Sequence, residues 1–345
     1  MFITDEQLLQ KLGILEARGY LRSQDHPTLP LRIWNYTEQA QFEGRWDEIT
    51  TACRGLVTDV SGKIVARPFR KFWNIEENKH KATEEFTVTE KMDGSLGIVF
   101  YYEGELVFAT RGSFTSDQAI KAKEIFEKTG IEIDGLNPSS NFTYLFEIIY
   151  PENRIVVRYN EEKLVLLSII DTQSGIEVPR YNWDFYIDCP HWVKEYDCED
   201  YTKLSELNTE GAEGFVVRFS NGDRCKIKFA DYVRLHKIMT CASTLSVWEM
   251  LYYNKSVNDA LVGVPDEFYK LIKDYYDELK TQADSIEKTY KEMFAVINTP
   301  NRRKFAETVT ADRNIKYPQL MFQLYDKKDI RESVLKLIKP EFRKL

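Results

Sequence analysis

Polar and apolar residues alternate along several segments of the first two thirds of the chain, and short polar turns separate these segments. Alternation with a period of two predicts strands that bury one face, as in FTVTEK and ELVFAT. The segment EKLVLLSIID is almost continuously apolar, which favours a strand buried on both faces. From Asp231 onward, apolar residues recur three and four positions apart, most clearly in DEFYKLIKDYYDELKTQADSIEKTYKEMFAVI. This second pattern predicts long helices.

The change of pattern predicts two domains and an α+β fold. We expect residues 1–240 to form twisted antiparallel sheets flanked by helices, and residues 241–345 to form an all-helical domain. No glycine- or proline-rich linker marks the boundary near residue 240. The first helix of the second domain is therefore expected to pack on the first domain.

Lys91 is the first candidate for chemistry. It ends an alternating segment and precedes Met92-Asp93-Gly94-Ser95, a tight turn that leads directly into another predicted strand. A lysine that attacks phosphorus must be held in line and must be in its neutral form, and this local framing suits that role. A purely structural hairpin accounts for the same five residues, so the motif alone leaves both interpretations open.

Other charged residues extend the candidate site. Glu147 lies within the apolar segment YLFEIIYP, where a carboxylate must face away from the core or be paired. Lys226 and Lys228 share one face of a predicted strand, and they repel each other unless an anion lies between them. Arg54 and Lys71, with aromatic residues beside Lys71, suit phosphates and a stacked base. Solvated strand faces and edges remain the alternative for each.

Taken in chain order, the motifs resemble those of a known enzyme group. The series is Lys91-x-Asp93-Gly94, Phe146-Glu147, Glu213-Gly214-Phe215-Val216 and Lys226-x-Lys228. It resembles the motifs of the covalent nucleotidyltransferases, which are the polynucleotide ligases and RNA capping enzymes. Further segments are similar to the phage RNA ligase 1 family, and they are Tyr36, Arg54-Gly55, Lys71-Phe72-Trp73-Asn74 and Tyr232-x-x-Leu235-His236. The resemblance covers about the first 240 residues.

The resemblance implies a role for each motif residue. Lys91 would attack the α-phosphorus of ATP, expel pyrophosphate and keep AMP as a phosphoramidate. Nearby cations favour the neutral amine and also neutralise phosphate charge. The implied catalytic residues are Lys91, Glu147, Glu213, Lys226 and Lys228. The implied ATP-binding residues are Tyr36, Arg54, Lys71, Lys91, Asp93, Gly94, Glu147, Lys226 and Lys228.

A divalent metal, Mg²⁺ or Mn²⁺, is implied by the same resemblance. Glu147 would contact the ribose or metal-bound water, and Glu213 would contact the metal through water. This indirect contact is reasonable because magnesium usually keeps several of its waters. Asp266 lies where the family can carry a further acidic metal ligand.

The implied function is that of an ATP-dependent RNA ligase. It would join 5′-phosphate and 3′-hydroxyl RNA ends through lysyl-AMP and RNA-adenylate intermediates, in RNA repair with cleaved tRNA as a candidate substrate. A kinase or phosphatase that heals the ends is a candidate partner. DNA ligases and capping enzymes are the enzymatic alternative, but they usually continue into a small β-barrel, and no run of short strands follows Lys228. A catalytically dead module that binds RNA ends is the non-enzymatic alternative.

Composition sets broader limits. The 345 residues carry a formal net charge of -8, so contact with nucleic acid must depend on a local groove rather than on a basic surface. Five cysteines without CxxC spacing indicate a reducing compartment. The first residues, MFITDEQLLQKLG, do not form a signal peptide, and no apolar run is long enough for a membrane span. We therefore expect a cytoplasmic protein that has no membrane partner.

The last 45 residues contain a second candidate for RNA contact. From Asn301 onward, basic residues outnumber acidic ones by about two to one, with aromatic residues between them. An RNA-binding surface and an ordinary solvated face above an aromatic core both fit this composition.

Overall fold

The computed structural model describes residues 4–77, 85–133, 141–153, 155–209, 211–261, 266–297 and 299–343. The strands in this part of the chain are β1 (Leu21–Asp25), β2 (Leu31–Tyr36), β3 (Arg54–Asp59), β4 (Ile64–Ala66), β5 (Trp73–Asn74), β6 (Phe86–Lys91), β7 (Ser95–Tyr102), β8 (Glu105–Thr110), β9 (Glu132–Ile133), β10 (Phe142–Ile149), β11 (Lys163–Asp171), β12 (Ile187–Asp188), β13 (Glu195–Tyr196), β14 (Gly214–Phe219) and β15 (Arg224–Lys228). The helices are α1 (Asp5–Ala17), α2 (Glu38–Phe42), α3 (Glu48–Ala52), α4 (Asp117–Thr129), α5 (Ala230–Cys241), α6 (Thr244–Tyr252), α7 (Val257–Ala260), α8 (Asp266–Ile297), α9 (Arg302–Ala311), α10 (Pro318–Tyr325) and α11 (Arg331–Leu337).

The chain divides into two compact units, Met1–Val233 and Arg234–Leu345. The first unit contains every strand named above, and the described part of the second is helical. The predicted α+β class, with sheets first and helices after, is confirmed. The division falls inside α5, a few residues before the boundary that the change of pattern predicts near residue 240.

Three sheets and a two-stranded ribbon build the first unit. Their strand orders are β1-β2-β3-β4, β11-β10-β7-β8, β13-β6-β14-β15-β5 and β12-β9. Neighbouring strands are antiparallel except β5 and β15, which are parallel. The segments FTVTEK, ELVFAT and EKLVLLSIID form β6, β8 and β11, as their patterns predict.

Apolar side chains hold the central sheet to the helix that covers it. Phe146 on β10, Leu166 on β11 and Val99 on β7 are almost completely buried, and Ile125 of α4 packs in the same cluster. Burying each such side chain contributes about 1.5–3 kcal/mol before the entropy of folding is counted. The rigid sheet that results fixes the strand ends on which the charged motifs lie.

The second unit has a separate helical core. The long helix α8 contributes Ala283 to this core, and α6, α9 and α10 contribute Trp248, Phe305 and Leu320. The indole N–H of Trp248 donates to the backbone oxygen of Leu335 at 2.9 Å. No helix in the described ranges combines the length and apolarity needed to cross a bilayer.

Candidate active site

Two lysines on different strands meet at one carboxylate. Lys91 ends β6 and Lys228 ends β15, and both pair in register with Gly214 on β14 between them. Glu213 is 3% exposed, and its Oε1 lies 2.7 Å from Nζ of Lys91 and 2.9 Å from Nζ of Lys228. The antiparallel register therefore brings together three charged residues that are far apart in the sequence.

Asp93 holds the loop that follows Lys91. Its carboxylate is 1% exposed and accepts the backbone N–H groups of Val156 and Val157, each at 2.7 Å, and the hydroxyl of Tyr232 at 2.7 Å. Burial, with the nearby carboxylates, raises the pKa of the Tyr232 hydroxyl, which keeps it a hydrogen-bond donor. Both carboxylate oxygens of Asp93 are thus used within the protein. This placement differs from the nucleotide contact that the resemblance implies for Asp93, because the side chain fixes the loop and does not line the cavity.

Glu147 connects β10 to the same loop. Its Oε1 accepts the backbone N–H of Gly94 at 2.9 Å. A β-carbon on Gly94 would lie 2.6 Å from the backbone oxygen of Ile148, so the close approach of the loop to β10 requires glycine. Burial raises the pKa of Glu147 to about 7; Lys91 opposes this rise and Glu213 adds to it. Glu147 therefore changes charge near neutral pH.

Replacing Glu147 with glutamine should stabilise the protein more at pH 8 than at pH 5. The pKa of Glu147 is about 7 in the folded protein, against the ordinary value of 4.5 in the unfolded chain. Protonated Glu147 therefore makes its full contribution to the free energy of unfolding below about pH 4.5, and this contribution is lost as the pH rises through 7. Glutamine does not ionise and can still accept the Gly94 N–H. We expect the variant's advantage over wild type in free energy of unfolding to grow by about 2 kcal/mol from pH 5 to pH 8. Urea unfolding of both proteins at the two pH values measures it, and a difference that does not change with pH would contradict the expectation.

Two cations of the site, Lys226 and Arg54, have lowered pKa values. Burial and, after it, the neighbouring cations, Lys228 first among them, together lower the pKa of Lys226 to about 8. Burial also lowers the pKa of Arg54. Nζ of Lys226 lies 6.0 Å and Cζ of Arg54 lies 5.8 Å from the ring centre of Phe72. A bound anion would relieve the repulsion between these cations, so the arrangement favours anion binding.

Aromatic rings surround the ammonium group of Lys71. Its Nζ lies 4.4 Å from the ring centre of Trp46, 5.3 Å from that of Tyr36 and 5.5 Å from that of Trp73. The backbone N–H of Lys71 donates to the backbone oxygen of Thr51 at 2.7 Å. Aromatic rings attract a cation without neutralising its charge. Lys71 is thus held in place while its positive charge stays available to an anion.

These groups line one cavity of about 770 Å³ in the first unit. The cavity has apolar walls, including Leu167 and Val216, next to its charged groups. Glu213 does not line it directly and lies behind the two lysines. The predicted site residues that line it are Tyr36, Arg54, Lys71, Lys91, Gly94, Glu147, Lys226 and Lys228.

The cavity also contains residues that the motifs do not identify. Arg111 follows β8, and its Cζ lies 5.6 Å from the ring centre of Tyr36. Glu177 forms ion pairs with Arg218, at 3.2 Å, and with Arg224. The sequence Arg111-Gly112-Ser113 after a predicted strand was a visible signal for a turn, but its approach to Tyr36 depends on the packing of two sheets.

The structure does not test Asp266 as a metal ligand. Asp266 begins α8 in the second unit, and its side chain lies outside the described residues. Within the described residues, no group of three or more histidine, cysteine, aspartate or glutamate side chains is arranged to hold a metal ion. Glu147, which lines the cavity, still fits a magnesium ion bound mainly by nucleotide phosphates and water, since such ions use few carboxylates. Glu213, which was predicted to contact the metal through water, is paired with Lys91 and Lys228 instead.

Comparison with known proteins finds similarity to RNA ligases. Residues 52–233 match the family model for RNA ligases of the T4 RNA ligase 1 type. A protein of Autographa californica nuclear polyhedrosis virus, named as a bifunctional polynucleotide kinase/RNA ligase, is 27% identical over 355 residues, which cover 90% of this chain and 49% of that protein. The chain therefore spans about half the length of this viral relative. The RNA ligase of Rhodothermus phage RM378 is 23% identical over 321 residues, which cover 70% of this chain and 73% of the phage protein.

Among solved structures, an archaeal ATP-dependent RNA ligase aligns with a TM-score of 0.46 and 14% identity, covering 78% of this chain and 75% of the archaeal one. The family match itself extends over more than half of the 345 residues and includes the four ordered motifs from Lys91 to Lys228. This chain belongs to the RNA ligase family of the T4 RNA ligase 1 type.

Proposed function

We propose that this protein is an ATP-dependent RNA ligase that seals 5′-phosphate and 3′-hydroxyl ends through a lysyl-AMP intermediate. The observation that carries the proposal is the cavity in which Lys91 lies beside cations that have no carboxylate partner within hydrogen-bonding distance in the described structure. These cations are Arg54, Lys71, Arg111 and Lys226. A polyphosphate would supply the negative charge that such a cluster lacks.

In the first step, Nζ of Lys91 attacks the α-phosphorus of ATP. The N–P bond forms while the bond from this phosphorus to the bridging oxygen breaks, and pyrophosphate leaves. Oε1 of Glu213, 2.7 Å from Nζ, is positioned to accept the proton that the amine loses. Arg54 and Lys71 stabilise the negative charge on the leaving pyrophosphate.

The second and third steps take place in the same cavity. The 5′-phosphate of an RNA strand attacks the lysyl-AMP phosphorus, which releases Lys91 and forms RNA-adenylate. A 3′-hydroxyl then attacks the 5′-phosphorus of that strand, and AMP leaves as the two ends are joined. Each step needs charge neutralisation and in-line placement rather than a new acid or base, so one cavity can serve all three.

Mg²⁺ or Mn²⁺ would supply further neutralisation of phosphate charge when bound. Glu147, which lines the cavity, is the carboxylate that would hold it, through its water molecules. The apolar walls at Leu167 and Val216 suit the adenine base, because they lie in the same cavity as the phosphate-binding cations.

The experiment that tests this function measures formation of the AMP adduct first and sealing of RNA second. Purified protein is incubated with ATP and Mg²⁺ and its intact mass is measured, and 5′-phosphorylated RNA is then added. We expect the gain of one AMP, followed by loss of the adduct and formation of sealed RNA. An adduct formed with GTP would favour a capping enzyme, and preference for nicked DNA duplex would favour a DNA ligase. Binding of RNA ends without any adduct would favour a catalytically dead module.

We extend the proposal to RNA repair. The relative from Autographa californica nuclear polyhedrosis virus is named as a bifunctional polynucleotide kinase/RNA ligase, and the chain covers 49% of that protein. A kinase or phosphatase that prepares RNA ends is therefore the partner that we propose, with cleaved tRNA as a candidate substrate. Residues 1–240 would carry adenylyl transfer, and the basic, aromatic region after Asn301 would help the helical unit select RNA.

Loss of Trp46 should slow the first step selectively. The Trp46→Ala variant removes the ring nearest to Lys71, at 4.4 Å, and an interaction of this kind contributes about 1–2 kcal/mol when partly desolvated. We expect lysyl-AMP formation at limiting ATP to fall about 5- to 30-fold. Sealing of pre-adenylated RNA should change much less, since no pyrophosphate takes part in that step.

Rates of AMP labelling and of pre-adenylated RNA sealing, measured separately, test this expectation. Phe42→Ala is a matched control, because the Phe42 side chain is 93% exposed and does not line the cavity. Equal losses in both steps for Trp46→Ala would indicate general disruption of the site instead.

A further inference from the structure

A second basic site lies beside the cavity, where three strands place polar residues in one row. Arg22 on β1 pairs in register with Asn35 on β2, and Asn35 pairs with Arg54 at the start of β3. Neighbouring strands are about 4.8 Å apart, so the backbone of Arg22 lies roughly 10 Å from that of Arg54. Arg54 lines the cavity, whereas the Arg22 side chain is exposed.

The side chain of Asn35 indicates that this row binds a ligand. Asn35 is 1% exposed, and neither its Nδ2 nor its Oδ1 has a hydrogen-bond partner in the described part of the chain. A buried amide without a partner destabilises a protein, so its presence calls for an explanation. The amide is oriented toward Gly112, since a β-carbon added there would lie 3.4 Å from Nδ2 of Asn35 and 3.6 Å from Nη2 of Arg22.

A tight turn connects this row to the candidate active site. Thr110 and Ser113 pair with each other, which leaves Arg111 and Gly112 at the tip of the turn. The turn is tied to β1 because the backbone N–H of Phe114 donates to Oε1 of Gln24 at 3.1 Å. Arg111 reaches the cavity, and Gly112 presents backbone without a side chain next to Arg22 and Asn35. Bare backbone of this kind allows close approach of a ligand.

Charge identifies the class of ligand. Arg22 and Arg54 flank Asn35 on the two neighbouring strands, and Arg111 precedes Gly112 in the turn. None of these three arginines has an acidic ion-pair partner in the described structure. A guanidinium group and an amide N–H are both donors to phosphate oxygens. In the proposed reaction the RNA 5′-phosphate becomes bonded to the AMP phosphate, so the RNA strand must leave the cavity from its phosphate side, where Arg54 and Arg111 lie.

We infer that Arg22 and Asn35, beside Gly112, form a subsite for the sugar–phosphate backbone of the RNA strand that carries the 5′-phosphate. The inference rests on the proposed ligase function. The subsite binds the first or second phosphodiester after the reacting end. Arg22 supplies the charge, and movement of its long side chain toward the phosphate gives the ligand access to Nδ2 of Asn35.

The test measures AMP transfer from adenylated protein to a 5′-phosphorylated RNA oligonucleotide over a range of salt concentrations. Arg22→Ala should leave lysyl-AMP formation unchanged and should raise the KM for RNA about 5- to 20-fold. The slope of log KM against log salt should decrease by about 0.7, as expected when one phosphate contact to a single strand is lost. Arg18→Ala is the matched control, because Arg18 is an exposed arginine of the same unit outside this row.

Asn35→Leu provides a second, independent readout. If the amide serves RNA rather than the fold, its replacement should raise the KM for RNA while the melting temperature stays the same or increases. A fall in melting temperature with unchanged KM would show a structural role and would overturn the assignment of Asn35.

Failure of the inference can be separated from failure of the proposed function. Absence of lysyl-AMP in the wild-type protein would overturn the ligase function and this subsite with it. Normal wild-type labelling, combined with unchanged RNA KM and salt slope in Arg22→Ala, would overturn the subsite alone. Reduced labelling in Arg22→Ala would place Arg22 in ATP binding and would also overturn the RNA assignment.

Discussion

Replacing Lys91 with alanine is expected to abolish covalent AMP labelling. The side-chain nitrogen of Lys91 is the proposed nucleophile. Lys91 ends β6, and this nitrogen lies 2.7 Å from Oε1 of Glu213. Alanine keeps the backbone of β6 and its pairing with Gly214, so the loss should be chemical rather than structural. We expect a decrease of at least about 1,000-fold, to the background of the assay. Intact mass after incubation with ATP and Mg²⁺ measures the adduct directly.

Two comparisons make the Lys91 result interpretable. Lys63→Ala removes an exposed lysine that does not line the cavity, and this variant should label like wild type. Lys91→Ala should still seal pre-adenylated RNA, since the third step does not use the lysine nucleophile. Labelling of Lys91→Ala at the wild-type level, in protein shown to be free of AMP beforehand, would contradict the assignment of the nucleophile.

The strands that carry the motifs could be predicted because their physical signals are local. A period of two places Lys226 and Lys228 on one face of β15 and Ile227 on the other, and Ile227 is completely buried in the structure. The helical spacing after Asp231 similarly predicts the long helix α8. These outcomes depend on side-chain alternation within one segment, which tertiary packing did not override.

The remaining features of the site depend on contacts between distant segments. The meeting of Lys91 and Lys228 across Gly214 follows from the order of β6, β14 and β15, which no single segment encodes. Trp46 gave no signal, because a lone tryptophan in a polar stretch is common. The resemblance implies a nucleotide contact for Asp93, but the hydrogen bonds of its side chain form with residues more than 60 positions away and could not be predicted from its own segment.

Replacing Gly214 with alanine is expected to destabilise the protein and to remove adenylation together. Gly214 has a φ of 148°, a backbone conformation that residues with a side chain rarely adopt. A β-carbon there would lie 1.9 Å from the backbone oxygen of Ile227. Relief of this clash requires β14 and β15 to separate where Lys91 and Lys228 share Glu213. We expect a loss of about 3 kcal/mol or more in the free energy of unfolding. Urea unfolding and AMP labelling of the same preparation measure the two effects.

Gly104→Ala is the control that measures the cost of backbone strain without a steric clash. Gly104 also has a positive φ, 87°, but a β-carbon there would have no other atom within 4 Å. Its replacement should therefore cost only about 1 kcal/mol and leave labelling intact. A Gly214→Ala variant that is no less stable than Gly104→Ala would mean that β14 and β15 can move apart at Gly214 with little loss of stability. If that variant also labelled normally, the close pairing at Gly214 would not be what holds the two lysines in register.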